Sequence, residues 1–203
     1  GRAPGYVAAT EEWNTGVAVG AWVTGGALNV PRSEHAGSGT QTAALSFGGR
    51  NPVEGQTETY NGTAWTSVNN MNNARAQLMG SGTQTSTLAS GGEPALTVTE
   101  TWNGTNWTEV SDLNTGKYAS GAAGVSNTSS LVFGGRTPPY TTTTESWDGS
   151  SWTEVNDMNT ARGYLGGTGT KTAALAFAGR IAPGAAISPA VTQLSGFIPV
   201  PIR

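Results

Sequence analysis

The stretch from Thr57 to Val68 reads TETYNGTAWTSV, and it recurs twice with few changes. The stretch from Thr99 to Val110 reads TETWNGTNWTEV, and the one from Thr144 to Val155 reads TESWDGSSWTEV. The copies start at positions 57, 99 and 144, so they lie 42 and 45 residues apart. Self-similarity at this spacing indicates one supersecondary unit that is repeated along the chain.

Other landmarks recur in step with this stretch. Glycine pairs precede the copies at Gly48-Gly49, Gly91-Gly92 and Gly134-Gly135, with Ala178-Gly179 as a weaker fourth pair. The second tryptophan of each copy is Trp65, Trp107 or Trp152. A basic residue begins each unit, at Arg32, Arg75, Lys117 and Arg162. Glu11, Glu12, Trp13 and Trp22 form an earlier, diverged copy with a longer turn.

Each unit is predicted to contain four short strands. In one unit they fall near residues 76–82, 86–91, 97–102 and 107–110, where apolar and β-branched residues alternate with polar ones between glycines. Asn61-Gly62, Asn103-Gly104 and Asp148-Gly149 predict tight hairpins, because both residues take positive φ at low cost. No segment of ten or more residues keeps a helical period, so the sequence predicts an all-β protein.

Four short strands in a unit of this length are typical of a β-propeller blade. A lone four-stranded sheet cannot bury both of its faces, whereas copies stacked on one another can. Every copy then needs the same apolar and aromatic side chains, which explains the repetition. The sequence therefore predicts a β-propeller of four-stranded antiparallel blades.

The pattern resembles the kelch-repeat family. The resemblance rests on the glycine pair after an apolar strand (LSFGG, LVFGG), the aromatic residue of ETY, ETW and ESW, the tryptophan that follows, and the runs MNNAR, LNTGK and MNTAR. It extends to about Arg180, and residues 1–186 are assigned to the repeats. More loosely, the near-identical copies resemble kelch-type repeat proteins of marine bacteriophages.

The number of blades has two interpretations. Strands three and four of a first blade, three full units and strands one and two of a last blade together give about four blades, if the two end pieces join. The alternative is part of a larger propeller that missing sequence or other subunits complete, which predicts a homo-oligomer. Residues 187–203 are predicted to be a tail or a degenerate half-blade, in which VTQLSG takes the place of TETWNG.

The composition argues against several classes of partner. The chain has no cysteine, which excludes disulfides and thiolate metal sites. Its net charge of -3 gives no basic footprint for nucleic acid. No run approaches the ~20 apolar residues of a membrane-spanning helix. We expect no cofactor, no nucleic-acid partner and no membrane insertion.

Catalysis is not expected either. His35 is the only histidine, and no Ser/His/Asp set can be assembled around it. Glu58, Glu100 and Glu145 occur once per unit, whereas glycoside hydrolysis needs two carboxylates in one pocket. We interpret these glutamates as intra-blade partners of Arg50, Arg136 or the basic residue between blades, with ligand contact as the alternative. The resemblance also implies no copper-oxidase activity, since that kelch-type chemistry requires cysteine and histidine ligands.

The repeated tryptophans have two interpretations. Trp65, Trp107 and Trp152 occur once per blade, which suits packing between blades. The same placement suits stacking on sugar rings, and WDGSSW is slightly similar to the repeat of fucose-binding propeller lectins. The kelch resemblance implies that the tryptophans lie in the core, and packing is the favoured interpretation.

The candidate ligand-binding residues are Arg50, Arg136, Tyr140 and Arg162. The loops between strands two and three read RNPVEGQ, EPALTV and RTPPYTTT, and they differ while the strands barely change. Loops on a rigid scaffold commonly carry binding residues. These side chains, with Arg75 and Lys117, are expected near one face. The alternative is a set of proline-stiffened solvent loops without a ligand.

Two functions follow as hypotheses. The first is a non-enzymatic structural and adhesion module of a virus particle, as a phage tail or capsid decoration that binds other virion proteins or host-surface glycans. The second is a soluble carbohydrate-binding propeller lectin. Both place the protein outside a cell or on a virion surface.

Overall fold

The computed structural model describes residues 7–14, 21–50, 53–182 and 192–195. Every regular element in these ranges is a β-strand, which confirms the all-β prediction. The strands form several antiparallel sheets, three of which have four strands. The chain is therefore built from the repeated unit that the sequence predicts.

The strands are grouped by repeat unit. The N-terminal hairpin comprises β1 (Thr10–Asn14) and β2 (Ala21–Gly25). Unit 1 comprises β3 (Ala36–Thr40), β4 (Ala43–Phe47), β5 (Thr57–Tyr60) and β6 (Trp65–Val68). Unit 2 comprises β7 (Met79–Thr83), β8 (Ser86–Ser90), β9 (Thr99–Trp102) and β10 (Trp107–Val110). Unit 3 comprises β11 (Gly121–Ser126), β12 (Ser129–Phe133), β13 (Thr144–Trp147) and β14 (Trp152–Val155). Unit 4 comprises β15 (Gly166–Thr170), β16 (Ala173–Phe177) and β17 (Thr192–Ser195).

Within each unit the strands pair in sequence order as an antiparallel meander. β17 pairs with β16 in unit 4, so TQLS occupies the place of a third strand there. The remainder of residues 187–203 lies outside the described residues. So does the turn at residues 15–20, which the sequence predicts to be longer than its counterparts.

The Asn-Gly hairpins differ from the prediction. Each loop has four residues, and only its glycine has positive φ, as in Gly62 at 91°. The Asn61 side chain stabilises the loop, since its Oδ1 accepts hydrogen bonds from the backbone N–H groups of Thr63 (3.0 Å) and Ala64 (2.9 Å). Asp148 does the same in unit 3, and bonds from the backbone N–H groups of Ser151 and Ser150 hold its pKa below the usual range. The first position is thus selected for its side-chain acceptor rather than for positive φ.

The glycine pairs connect neighbouring units. Gly91 and Gly92 have φ values of 60° and 133°, in the left-handed region that favours glycine. A Cβ atom on Gly91 would lie 2.3 Å from the Lys117 carbonyl oxygen. The Gly92 N–H donates to that same oxygen (3.0 Å). Each glycine pair therefore places the end of the second strand of its unit against the segment that leads into the next unit.

The first strands of the units pack side by side in the order β3, β7, β11, β15. Hydroxyl contacts between units accompany this packing, at Ser38–Thr87 (2.6 Å) and Ser81–Ser130 (2.7 Å). Three successive clefts of about 320, 190 and 350 Å³ are each lined by residues of all four units. Among the described residues the sheets do not close into a ring.

The repeated tryptophans pack between units, as the favoured interpretation predicts. Trp107 is 5% exposed, and its ring lies 5.0 Å from Phe47 of the preceding unit. Its Nε1–H donates to Thr57 Oγ1 of that unit (2.9 Å). Equivalent bonds run from Trp152 to Thr99 (3.1 Å) and from Trp65 to Thr10 (3.0 Å). The last of these bonds places the N-terminal hairpin against unit 1 as strands three and four of a preceding unit.

We expect Trp107→Ala to lower the free energy of unfolding by about 3–5 kcal/mol, because the substitution empties a packed site and removes the bond to Thr57. Trp22→Ala is the matched control, since Trp22 holds the same place in the repeat but is 66% exposed. Its expected loss is below about 1 kcal/mol. Urea denaturation followed by circular dichroism measures both values. Equal losses in the two variants would contradict packing between units as the role of this tryptophan.

Candidate functional site on the loop face

The glutamates that recur once per unit are buried and bonded within their own unit. Glu100 on β9 is 0% exposed and pairs with the Arg75 guanidinium. It also accepts hydrogen bonds from Asn72 N–H (2.8 Å), Asn72 Nδ2 (2.9 Å) and Asn73 N–H (3.3 Å). The carboxylate is thus satisfied by the segment that leads into its own unit, which confirms the intra-unit interpretation.

The same arrangement occurs in units 1 and 3. Glu58 pairs with Arg32, and Glu145 pairs with Lys117 at 3.1 Å. Each carboxylate also accepts bonds from an asparagine at the start of the run, Asn29 or Asn114. These contacts account for the spacing Asn-x-x-Arg/Lys in the sequence.

Burial changes the pKa of the cations in these pairs. It lowers the pKa of Arg75 and of Lys117, although Glu100 and Glu145 oppose the shift. Desolvation disfavours the charged form of a buried base, and a nearby carboxylate favours it. Paired in this way, the two side chains are held in the core and are removed from the surface.

The predicted site residue Arg162 lies at the equivalent place in unit 4. It is 5% exposed, and Arg32, Arg75 and Lys117 are buried as well. These basic side chains were expected at the surface near the loops, but they are buried. A charge removed from water is stable only where partners can bond it, which explains their positions. Arg50, Arg136 and Arg180, which follow the glycine pairs, are at least partly exposed, as is Lys171 in the turn between β15 and β16.

We call the surface formed by two sets of equivalent residues the loop face. The first set follows the glycine pairs and comprises Arg50, Glu93, Arg136 and Arg180. The second set lies two residues after the buried cations and comprises Glu34, Gln77, Ala119 and Tyr164. Both sets recur at one place in every unit, so the loop face has the pseudo-symmetry of the repeat.

All four residues of the second set have a left-handed backbone, with φ between 51° and 55°. This conformation costs an L-residue about 1–2 kcal/mol. Hydrogen bonds between units compensate, since Gln77 N–H donates to Glu34 O (2.8 Å), and Ala119 N–H donates to Gln77 O (3.0 Å). Tyr164 N–H continues the series to Ala119 O (2.7 Å). The bonds fix the side chains of this set around one cleft.

The cleft holds about 320 Å³ and opens at the loop face. Leu78, Leu165 and Ala119 supply apolar lining. Its lining also includes Glu34, His35, Gln77, Ser120 and Tyr164. An apolar floor with a few polar groups at its edge is the usual composition of a small-molecule site. Acidic and amide groups come from units 1 and 2, and the tyrosine comes from unit 4.

Arg50 is neutralised by carboxylates. Its Nε lies 2.7 Å from Glu34 Oε2, and its Nη2 pairs with Glu93. Gln77 Nε2 also donates to Glu34 (3.1 Å). Of the predicted site residues, Arg50 is thus already engaged by acidic neighbours of units 1 and 2.

Arg136 and Tyr140 are brought together by their own loop. Arg136 forms an isolated β-bridge with Tyr118 on one side and with Tyr140 on the other. The turn between them is closed by a bond from Thr137 N–H to Pro139 O (3.0 Å). The Arg136 guanidinium carbon lies 5.5 Å from the Tyr118 ring centroid and 5.7 Å from that of Tyr140. This is cation–π contact on two aromatic faces.

Unit 4 extends this group with Tyr164 and Arg180. The Arg180 guanidinium carbon lies 5.0 Å from the Tyr164 ring centroid. Interaction with the Tyr164 side chain is the main cause that raises the pKa of Arg136. A Cβ on Gly163 would lie 2.9 Å from the Tyr140 ring, so this glycine leaves room for Tyr140. We call Tyr118, Arg136, Tyr140, Tyr164 and Arg180 the Tyr–Arg cluster.

The Tyr–Arg cluster carries positive charge without a carboxylate partner. Among the described residues, neither Arg136 nor Arg180 forms an ion pair. Asp157, an acidic residue of unit 3, accepts a bond from Thr142 Oγ1 instead (2.8 Å). The loop face is consequently polarised, with acidic groups from units 1 and 2 and free guanidinium groups from units 3 and 4.

Sequence reasoning identified Arg136 and Tyr140 and missed the other three members of the cluster. Arg180 follows Ala178-Gly179 as Arg136 follows Gly134-Gly135, so the repeat register marks it as the equivalent residue. Tyr164 and Tyr118 stand directly after a buried basic segment, and nothing local to them indicates exposure or burial. The register of the repeats could therefore have identified Arg180, whereas no signal marked the two tyrosines.

The described residues offer no obvious centre for metal chemistry. Within the described ranges no group of three His, Cys, Asp or Glu side chains could hold a metal ion. The same part of the chain has no helix long and apolar enough to cross a membrane. No protein-family model matches the chain, and no curated protein matches it.

We expect Arg75→Met to cost about 3–5 kcal/mol of unfolding free energy, because it leaves the Glu100 charge buried without its partner. Arg75→Lys is expected to cost less, since Lys117 pairs with Glu145 at the equivalent place. The control is Arg50→Met, at a partly exposed pair, with an expected loss below about 1 kcal/mol. Urea denaturation midpoints measure all three. Wild-type stability of Arg75→Met would overturn the assigned role of this pair.

Proposed function

We propose that the units form a kelch-like β-propeller of about four blades, or part of a larger one. The side-by-side packing of β3, β7, β11 and β15 supports this proposal, since first strands surround the axis of a propeller. The three successive clefts lined by all four units support it as well, because they resemble segments of a central channel. The second and third strands pair in the same register in units 1 to 3, where Phe47 is opposite Thr57, Ser90 is opposite Thr99 and Phe133 is opposite Thr144.

We further propose that the protein is a non-enzymatic structural and adhesion module, presented outside a cell on a virus particle such as a phage. In this role it binds other virion proteins or host-surface glycans. The observation that supports binding is the Tyr–Arg cluster. Apart from Tyr118, its side chains are at least partly exposed, and its two arginines form no ion pair with a described carboxylate. Arg75 and Arg50, by contrast, are paired with carboxylates, Glu100 and Glu93.

The same observation favours one recognition site per chain over one site per unit. Trp107 and Trp152 are buried between units and offer no face for a sugar ring. Among the described residues, the Tyr–Arg cluster is formed where units 3 and 4 supply tyrosines, whereas the equivalent residues of unit 2 are Ala76, Gln77 and Glu93. A single weak site gains strength when many copies are displayed together on one particle.

We expect the double variant Arg136→Ala/Tyr140→Ala to reduce binding on a printed glycan array at least tenfold, with the melting temperature unchanged within a few degrees. Both side chains are at the surface, so their truncation removes contact area without opening the core. Arg50→Ala is the control, because that guanidinium is already paired with Glu34 and Glu93.

Mass spectrometry of purified virus particles from the source culture tests the location. Peptides of this chain in the particle fraction are the expected result. Their absence, with the protein found free in the medium, would favour the soluble lectin instead. Array binding that survives the double variant would remove the Tyr–Arg cluster from the proposal.

A further inference from the structure

We propose that the Tyr–Arg cluster and the adjoining cleft bind an acidic saccharide, with the sugar carboxylate held by Arg136 and Arg180. This inference rests on the proposed binding function and specifies its ligand class. It differs from the residues marked by the sequence alone, since it excludes Arg50 and Arg162 and adds Tyr164, Arg180 and Tyr118. The charges on the loop face favour a sugar that carries an acidic group over a neutral sugar.

The charge of the surface arginines is the first feature that favours an acidic ligand. Two kinds of surface arginine occur on the described part of the loop face. Arg50 is held by two carboxylates, while Arg136 and Arg180 lie against tyrosine side chains and form no ion pair. A guanidinium flanked by aromatic rings keeps its charge and its N–H donors free for a planar anion. A carboxylate accepts two parallel N–H bonds from such a group, which gives both affinity and orientation.

The second step concerns shape. Tyr164 is 42% exposed and lies at the rim of the cleft, so part of its ring is available to a ligand. The apolar C–H face of a pyranose packs on an aromatic ring. The Tyr164 hydroxyl already interacts with Arg136, and its own proton can be donated to a sugar oxygen. Tyr118 is 6% exposed beneath Arg136 and serves to hold that guanidinium in place.

The third step is the size of the site. A cleft of about 320 Å³ suits one or two sugar rings. An acidic peptide would bind as an added strand or in a longer groove. The loop face instead presents left-handed residues bonded to one another across units, and these offer no open strand edge. A compact acidic sugar therefore fits the site better than an extended peptide.

The acidic side of the loop face then sets the orientation. Glu34 of unit 1 lines the same cleft as Tyr164 of unit 4, and Glu93 of unit 2 pairs with Arg50. These carboxylates repel an anion and accept bonds from neutral hydroxyl groups. The sugar carboxylate is consequently directed toward units 3 and 4, and the hydroxyl groups are directed toward units 1 and 2.

Isothermal titration of the full chain with methyl β-glucuronide and with N-acetylneuraminic acid tests the inference. Methyl β-glucoside is the neutral match of the glucuronide, acetate supplies the carboxylate alone, and a triglutamate peptide supplies acidic groups on a chain. We expect an acidic sugar to bind at least tenfold more tightly than the neutral glucoside, acetate or the peptide. Raising the salt concentration is expected to weaken this binding.

The variants Arg136→Gln and Arg180→Gln are each expected to weaken binding of the acidic sugar at least tenfold while leaving the melting temperature unchanged. Lys171→Gln removes the same charge elsewhere, in the turn between β15 and β16, where Lys171 donates to Trp147 O. Its affinity is expected to stay within about twofold of the wild type. Full affinity in both cluster variants would overturn the inference.

The remaining outcomes separate this inference from the proposed function. If the glycan array shows binding of neutral glycans that depends on Tyr140, the adhesion proposal stands and the acidic-ligand inference fails. Preference for the triglutamate peptide also overturns the acidic-saccharide inference. If no array glycan and no acidic sugar binds, both proposals fail for this face.

Discussion

The buried carboxylate at the centre of each full unit is the constraint on which the rest of the structure depends. A charged group taken out of water is stable only if its bonding capacity is filled. Glu100 meets this requirement with Arg75 and with the N–H groups of Asn72 and Asn73. These donors all belong to the segment that enters the unit, so the carboxylate fixes that segment against the third strand. The path of the chain from one unit to the next follows from this bond network.

Repetition of the network explains why sequence analysis predicted the fold better than the site. The spacing of glycine pairs, aromatic residues and tryptophans identified four strands per unit, and β8, β9 and β10 lie close to the predicted ranges. β7 begins later than expected, at Met79, because the residues before it take up the left-handed turn at Gln77. That turn depends on a bond to Glu34, 43 residues earlier, which no local pattern reveals.

The arginines illustrate the same limit at the site. Arg75 and Arg136 are the same residue type, and both stand near loops in the sequence. Arg75 is buried because Glu100 is 25 residues away in the chain but adjacent in space. Arg136 instead lies against tyrosine side chains and forms no ion pair among the described residues. A glutamate that recurs once in each full unit, together with nearby cations, made an ion pair predictable in principle. Which cation of each unit enters the core was decided by the fold, and the prediction placed Arg162 with the surface residues.

Departures from the repeat, rather than the repeat itself, create the chemistry of the loop face. If every unit carried arginine after its glycine pair, four like charges would surround one cleft. Unit 2 carries Glu93 at that place, and this carboxylate pairs with Arg50 of unit 1. Units 3 and 4 have no such substitution and add tyrosines beside their arginines. A nearly symmetric scaffold thereby acquires an acidic side and a cationic, aromatic side. Because the backbone beneath is fixed by bonds between units, this asymmetry is presented in a rigid arrangement, and rigidity lowers the entropic cost of recognition.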